Sequence, residues 1–198
     1  MVDVGRAARR IWRAVVLRRG TRAAKVVGRL TARPAMSREA IDDAAEYLRE
    51  CGIQVPAFKR RVYRRAAGSY VTGSPTTLVM HLGSYPTRRL ADWFAMHELV
   101  HVLWARNRPT RDPTFREWFG TRRPRNYDDI PWTVRATTSL RRPSGFPSRY
   151  AEMAGGEEHF AELVAFMYTR PNGFASKPPA DLAASWNVAW KRGITLMR

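Results

Sequence analysis

The sequence WFAMHELVHVLW, from Trp93 to Trp104, decides the fold, because it sets two histidines four residues apart in an apolar, helix-forming context. At 3.6 residues per turn, positions i and i+4 lie above one another on one helix face, so His97 and His101 can reach the same ion. Glu98 then lies about 100° round the helix from His97, on a flank from which it can address a water molecule beside that ion. The stretch therefore predicts a helix that carries a metal site.

The His-Glu-x-x-His spacing is typical of sites in which two histidines bind zinc and the glutamate acts as general base. A catalytic zinc ion takes three protein ligands and leaves its fourth position to water. A second helical pattern follows the glycine break at residues 155 and 156, and it carries Glu157, Glu158 and Glu162. Because Glu158 and Glu162 are also spaced i, i+4, one can bind the metal while the other orients a ligating histidine.

At these residues the chain resembles a family, the gluzincin zinc peptidases of the anthrax lethal factor type. The resemblance covers residues 87 to 170 and is carried by His97 to His101, Ser148, Tyr150 and the string Glu158-His-Phe-Ala-Glu162. It implies an α+β, zincin-like fold with a small sheet, an active-site helix and a second ligand-bearing helix. It also implies that the protein hydrolyses a peptide or protein substrate. In the family's arrangement, His97, His101 and Glu158 would bind one zinc ion, Glu98 would act as general base, and the phenol of Tyr150 would stabilise the tetrahedral intermediate.

The spacing departs from the family at one point. Seven residues from the tyrosine to the glutamate ligand would select Glu157, whereas the Phe-Ala-Glu string selects Glu158. Two glycines can absorb an inserted residue in a permissive loop before the helix begins. We therefore expect Glu158 to bind the metal, Glu162 to support a histidine from behind, and Glu157 to be a first-turn acid that complements the helix dipole.

Two alternatives stay open. The SprT-like DNA-repair proteases also carry the histidine pair but use a later histidine, and the segment from Thr110 to Phe119, which superficially resembles theirs, contains none. His81 is expected in a strand, and His159 would point about 100° away from Glu158 on a helix. The other class is non-enzymatic: a zincin scaffold kept as a structural or nucleic-acid-associated protein, for example in a virion, which acts through a basic arm.

That arm is the start of the chain. The 198 residues contain 35 lysines and arginines against 17 acids, for a net charge of +18, which favours an anionic partner. Residues 1 to 33 hold ten basic residues and one acid, Asp3, and their arginines recur at helical spacing opposite apolar residues. We expect residues 1–36 to form a basic amphipathic arm that binds nucleic acid or another polyanion, an anionic membrane surface or a partner subunit, ahead of a metallopeptidase domain at 37–198.

The remaining expectations concern location and element order. No signal peptide or membrane-spanning stretch is evident and Cys51 is the only cysteine, so we expect a cytoplasmic or other intracellular setting, virion association included. Ser37 is expected to cap a helix that runs to about Cys51. Strands are expected at 62–63, 69–72 and 77–82, the last as an edge that pairs with substrate. Residues 107–149 are expected to form a lid anchored by Trp118, Phe119 and Trp132, before a last helix at 179–190.

Overall fold

The computed structural model describes residues 34–64, 69–74, 76–85, 87–107, 109–119, 143–154 and 156–197. These residues form an α+β structure in which helices pack on one face of a small mixed sheet. In chain order, the first elements are α1 (Pro34–Glu50), β1 (Lys59–Val62), β2 (Tyr70–Thr72), β3 (Val79–Leu82) and α2 (Arg88–Asn107). They are followed by a 3-10 turn (Pro109–Arg111), α3 (Pro113–Phe119), α4 (Arg149–Ala154) and α5 (Gly156–Tyr168). The last elements are two 3-10 turns (Gly173–Ala175 and Ala180–Leu182), α6 (Ala183–Val188), a π-helical turn (Ala189–Gly193) and a short helical turn (Ile194–Leu196). Within the described ranges, no helix is long and apolar enough to cross a bilayer.

Helix α2 confirms the helix predicted at Trp93 to Trp104 and forms the centre of the core. It packs against α1 on one side and α5 on the other. Its buried side chains surround the helix rather than forming a single stripe: Met96, Leu99 and Val100 are buried on one side, and His97 and Glu98 are buried on the other. The two histidines therefore project from a helix that is packed between two others.

Helix α1 begins earlier than the sequence analysis expected. It starts at Pro34, and Ser37 lies inside it with no exposed surface instead of capping it. A proline suits the first turn of a helix because an N–H group at that position would have no hydrogen-bond acceptor within the helix. The expected boundary between residues 36 and 37 thus falls within this helix, while the arm at residues 1–33 lies outside the described residues.

The sheet has the order β1-β3-β2, with β1 parallel and β2 antiparallel to β3. The expectation that 77–82 forms a substrate edge is wrong, because β3 is the central strand. Its burial agrees with that position: Met80 and Leu82 are fully buried on one face, and His81 is only 6% exposed on the other. The strand at the edge next to α2 and the candidate site is β2.

The segment after α2 contains a helix where only a loop was expected. Asp112 Oδ1 accepts a 2.7 Å hydrogen bond from the backbone N–H of Phe115, and Pro113 occupies the first helical position, which together start α3. Phe119 is buried as expected, but Trp118 is 42% exposed and does not anchor the segment to the core. The rest of the expected lid, residues 120–142 with Trp132, lies outside the described residues.

The C-terminal helical segment matches the expectation in its buried side chains. Leu182, Trp186 and Ala189 are all buried, as the pattern predicted. The helix is less regular than expected, since a 3-10 turn precedes α6 and a π-helical turn follows it.

Helix α5 starts at a point of very close contact with the end of α3. A Cβ atom added to Gly156 would lie 1.6 Å from the carbonyl oxygen of Phe119. The glycine is therefore needed for this approach, which sets the position of the helix that carries the glutamates. The sequence analysis expected residues 155 and 156 only to absorb an inserted residue in a loop, whereas Gly156 also allows α5 to approach α3.

We expect Gly156→Ala to lower the free energy of unfolding by about 1–3 kcal/mol, since α5 must move away from α3 to admit the methyl group. In a thermal melt this corresponds to a melting temperature lower by roughly 2–10 °C. Glu152→Ala, on the exposed side of α4, is the control and should stay within about 0.5 kcal/mol of the unaltered protein. Unchanged stability in Gly156→Ala would contradict the close contact.

Candidate metal centre

The two histidines of α2 turn the same ring nitrogen towards each other. The distance from His97 Nε2 to His101 Nε2 is 3.1 Å, and the ring planes meet at 70°. Both side chains are largely buried, at 8% and 13% exposed. The i, i+4 spacing thus brings the two donor atoms together, as the sequence predicted.

Glu158 completes a triangle with these nitrogens from the facing helix α5. Its Oε2 lies 3.2 Å from His97 Nε2 and 3.3 Å from His101 Nε2. A tetrahedral zinc ion with bonds of about 2.0–2.1 Å separates neighbouring ligands by roughly 3.3 Å, which is close to all three observed distances. These three residues are the group of potential metal ligands found among the described residues.

The electrostatics of the triangle favour a positive charge at its centre. Burial lowers the pKa of His101, but Glu158 and Glu157 outweigh this and raise it well above its usual value. The pKa of His97 is also raised, since its contacts with Glu158 outweigh the effect of burial. Burial opposes ionisation of Glu158, yet the two imidazoles hold its pKa far below the usual range. A divalent cation would supply the same charge, and two imidazoles with a carboxylate are a donor set that suits zinc.

Glu157 has a role that the sequence analysis missed. Its Oε1 lies 2.7 Å from His101 Nδ1, so it is an orienting carboxylate and more than a first-turn acid facing the helix dipole. Donation by the Nδ1 proton leaves the Nε2 lone pair of His101 directed at the triangle. Both consecutive glutamates can reach α2 because the first turn of α5 lies against the imidazoles, and only the packing of the two helices shows this.

Glu162 lies behind the other histidine, one turn after Glu158. Its Oε1 is 3.4 Å from His97 Nδ1, a long contact, and its side chain is only 5% exposed. Burial raises the pKa of Glu162, while His97 and a hydrogen bond from Ser148 oppose that rise. Each histidine thus has a carboxylate on the side away from the triangle, but His97 Nδ1 makes no hydrogen bond, and the support of His97 by Glu162 stays a prediction.

Glu98, the candidate general base, and Tyr150, the candidate phenol, line the same cavity as the three residues of the triangle. The cavity measures about 350 Å³, and its walls include Glu98 and Tyr150 together with the edge strand β2 and flanking residues from Ser69 to Gly73. Glu98 is 2% exposed; burial raises its pKa, and the two histidines oppose the rise. Ser148 Oγ accepts a 3.0 Å hydrogen bond from the N–H of Ala151, which caps the helix that places Tyr150 at the cavity.

The remaining histidines stand apart from this cluster. His159 is 8% exposed, and its ring packs against Phe119 and Phe146 at centroid distances of 5.2 and 4.8 Å. His81 lies in β3, as predicted for an ordinary strand residue. The structure thus brings together His97, His101 and Glu158, and leaves His159 in an aromatic environment.

Comparisons with known proteins found no relative. A scan against protein-family models, a search of curated proteins and a search of solved structures each returned no match for this chain. Any function proposed for the chain therefore depends on the residues of the site themselves.

We expect Glu157→Ala and Glu162→Ala each to weaken zinc affinity by about 10- to 100-fold, because each leaves one histidine without its orienting carboxylate. The effect of Glu157→Ala should lie towards the lower end, since its side chain is 44% exposed. Competition with a chromophoric chelator measures the affinity, and Glu152→Ala is the matched control. Full zinc affinity in Glu157→Ala would show that its contact with His101 does not support the site.

Proposed function

We propose that this protein is a zinc-dependent metallopeptidase in which His97, His101 and Glu158 hold one zinc ion. The observation that carries the proposal is the convergence of their three donor atoms at 3.1–3.3 Å, beside a cavity large enough to admit part of a peptide. A glutamate next to the first histidine and a tyrosine on the cavity wall supply the groups that hydrolysis requires in addition to the metal.

The order of elements supports the same assignment. A small sheet precedes α2, which carries the two histidines and Glu98, and a later helix, α5, carries the third donor. This order agrees with the zincin-like arrangement implied by the resemblance to the lethal factor type of peptidase. The proposed fold assignment and the proposed activity thus depend on the same two helices.

The chain's own residues have separable tasks in this proposal. Zinc, when bound, polarises the scissile carbonyl and lowers the pKa of a water molecule towards ~7. Glu98 accepts the proton of the attacking water and later delivers it to the leaving amine, while the C–N bond breaks and the new carboxyl group forms. The burial of Glu98 suits this shuttle, since a raised pKa helps the carboxyl group to keep the proton between the two steps.

Tyr150 and β2 have the supporting tasks. The phenol of Tyr150 can donate a hydrogen bond to the oxyanion that develops on the scissile carbonyl. Strand β2 lies at the sheet edge and lines the cavity, so its backbone can pair with an extended substrate across the site. In this proposal β2 takes the role that the sequence analysis gave to residues 77–82.

We expect the purified protein to bind one zinc ion per chain and to cleave members of a proteome-derived peptide library. Glu98→Gln should keep the zinc and lose hydrolysis, since it removes the base and no ligand, whereas His101→Ala should lose both. Metal analysis and mass spectrometry of the library give the two readouts. Zinc binding without cleavage by the unaltered protein would favour a non-catalytic scaffold; zinc loss in Glu98→Gln with retention in His101→Ala would overturn the ligand assignment.

Tyr150→Phe should lower kcat by about 100- to 1,000-fold, the range found when a single oxyanion donor is removed, and should leave zinc content and KM nearly unchanged. Phenylalanine keeps the ring in the cavity wall, so the change isolates the hydroxyl group. A change confined to KM would assign Tyr150 to substrate binding instead.

A further inference from the structure

The outer face of the sheet carries a group of aromatic rings that the metal centre does not use. Register places His81 of β3 beside Tyr70 of β2 and Arg61 of β1, on the face opposite the core residue Met80. Tyr63 follows β1 directly and continues its hydrogen bonding, since its N–H donates to the carbonyl of Leu82 at 2.9 Å.

Hydrogen bonds hold these rings in place. The hydroxyl group of Tyr63 lies 2.7 Å from His81 Nδ1, and Thr72 Oγ1 lies 3.0 Å from His81 Nε2, so both nitrogens of the imidazole are engaged. The rings of Tyr63 and His81 are nearly parallel, at 13°. The ring of Tyr70 stacks on His81 at a centroid distance of 4.3 Å and an angle of 11°.

The tyrosine rings are nevertheless open to solvent. Tyr70 is 47% exposed and Tyr63 is 36% exposed. Since one face of the Tyr70 ring is covered by His81, its exposed area lies on the opposite face and the ring edge. The sheet thus presents fixed planar rings with polar tips, whose orientation is already determined before any partner arrives.

The charged residues of the three strands are all basic, whereas Glu98, Glu157 and Glu158 line the cavity on which Tyr70 also borders. From residue 51 to residue 91 the sequence has no acidic residue and contains seven lysines and arginines. Lys59 and Arg61 are exposed on the same strand face as the rings, whereas Arg60 lies on the other face, where its exposed side chain pairs with Asp42 of α1. Burial and the nearby charge of Arg61 lower the pKa of His81, so the imidazole is neutral at neutral pH and the positive charge comes from the strand's own lysine and arginine.

We propose that this face, formed by Tyr63, Tyr70, Lys59 and Arg61, binds single-stranded nucleic acid. Exposed rings on which bases stack, flanked by cations that contact phosphates, are the combination used by proteins that bind single strands without reading their sequence. A duplex fits less well, because its bases are already stacked on one another. A membrane surface also fits less well, since Val79, which is only partly exposed, is the one aliphatic side chain at the outward positions of the three described strands.

This surface is distinct from the basic arm at residues 1–33 and does not require the zinc chemistry. Strand β2 belongs to both regions, because residues Ser69 to Gly73 also line the cavity of the metal centre. A strand of nucleic acid bound on the sheet would therefore lie next to the cleft, and proteins associated with that nucleic acid would be brought close to the site.

The test uses the full-length protein and a short fluorescein-labelled oligothymidylate, with affinity measured by fluorescence anisotropy. We expect Tyr70→Ala to weaken binding by about tenfold or more, as the loss of one stacking ring does, and Tyr70→Phe to retain it. Trp118→Ala, which removes an equally exposed ring from α3, is the matched control and should have no effect. Circular dichroism and the melting temperature establish that each variant is folded.

Charge and location give two further readouts. The double variant Lys59→Gln and Arg61→Gln should reduce the slope of log affinity against log salt by about 0.7 for each phosphate that the variant no longer neutralises, whereas Arg116→Gln on α3 should not. An oligonucleotide that carries 5-iodouracil should photo-cross-link to Tyr63 or Tyr70. Unchanged affinity in Tyr70→Ala with cross-links confined to residues 1–33 would overturn the proposal in favour of the arm; a Tyr70→Ala effect on binding to phosphatidylserine vesicles but not to the oligonucleotide would overturn it in favour of a membrane.

Discussion

The packing of α5 against α2 is the constraint on which the rest of the site depends. The histidines lie on α2, and the three carboxylates that contact their ring nitrogens lie on α5, about sixty residues later in the chain. Because Gly156 has no side chain, α5 can begin against the backbone of Phe119, and this sets where its first turn faces α2. A displacement of α5 away from α2 by about one ångström would lengthen both contacts between Glu158 and the imidazoles.

This contact produces an electrostatic exception in a strongly basic protein. The chain carries +18, yet three glutamates line the cavity beside the two imidazoles, and a fourth, Glu162, lies behind His97. Burying carboxylates is costly unless positive charge compensates them, and the effective penalty is several kcal/mol per ion. Protonated imidazoles or a bound cation can both supply that charge. The arrangement of acids therefore fits the proposed metal site.

The edge strand β2 connects this acidic cavity with the basic face of the sheet. Its residues and those that flank it line the cavity, while the ring of Tyr70 stacks on His81 on the outer face. The two surfaces differ in chemistry: one concentrates carboxylates and donor atoms, and the other offers planar rings and cations. Their contiguity means that whatever the sheet binds will lie beside the proposed peptidase site.

The sequence by itself determined the features that depend on local periodicity. The spacing of His97 and His101 predicts their shared helix face, and the spacing of Glu158 and Glu162 predicts that these two carboxylates share another; the choice of Glu158 as the metal donor is implied by the family resemblance. Helices α1 and α2 and the strand character of His81 follow from the same kind of pattern, because neighbours along a regular element determine which side chains share a face.

Only the tertiary structure decided which separate elements meet. The central position of β3 depends on β1 pairing with it from the other side, so chain order alone misplaced the edge. The contact between Glu157 and His101 depends on the approach of two helices, and a local reading could assign that glutamate only to its own helix dipole. The start of α3 did carry a local signal, Asp112 followed by Pro113, which the many prolines nearby obscured. Contacts between distant segments arise from packing, and no periodicity along the chain encodes them.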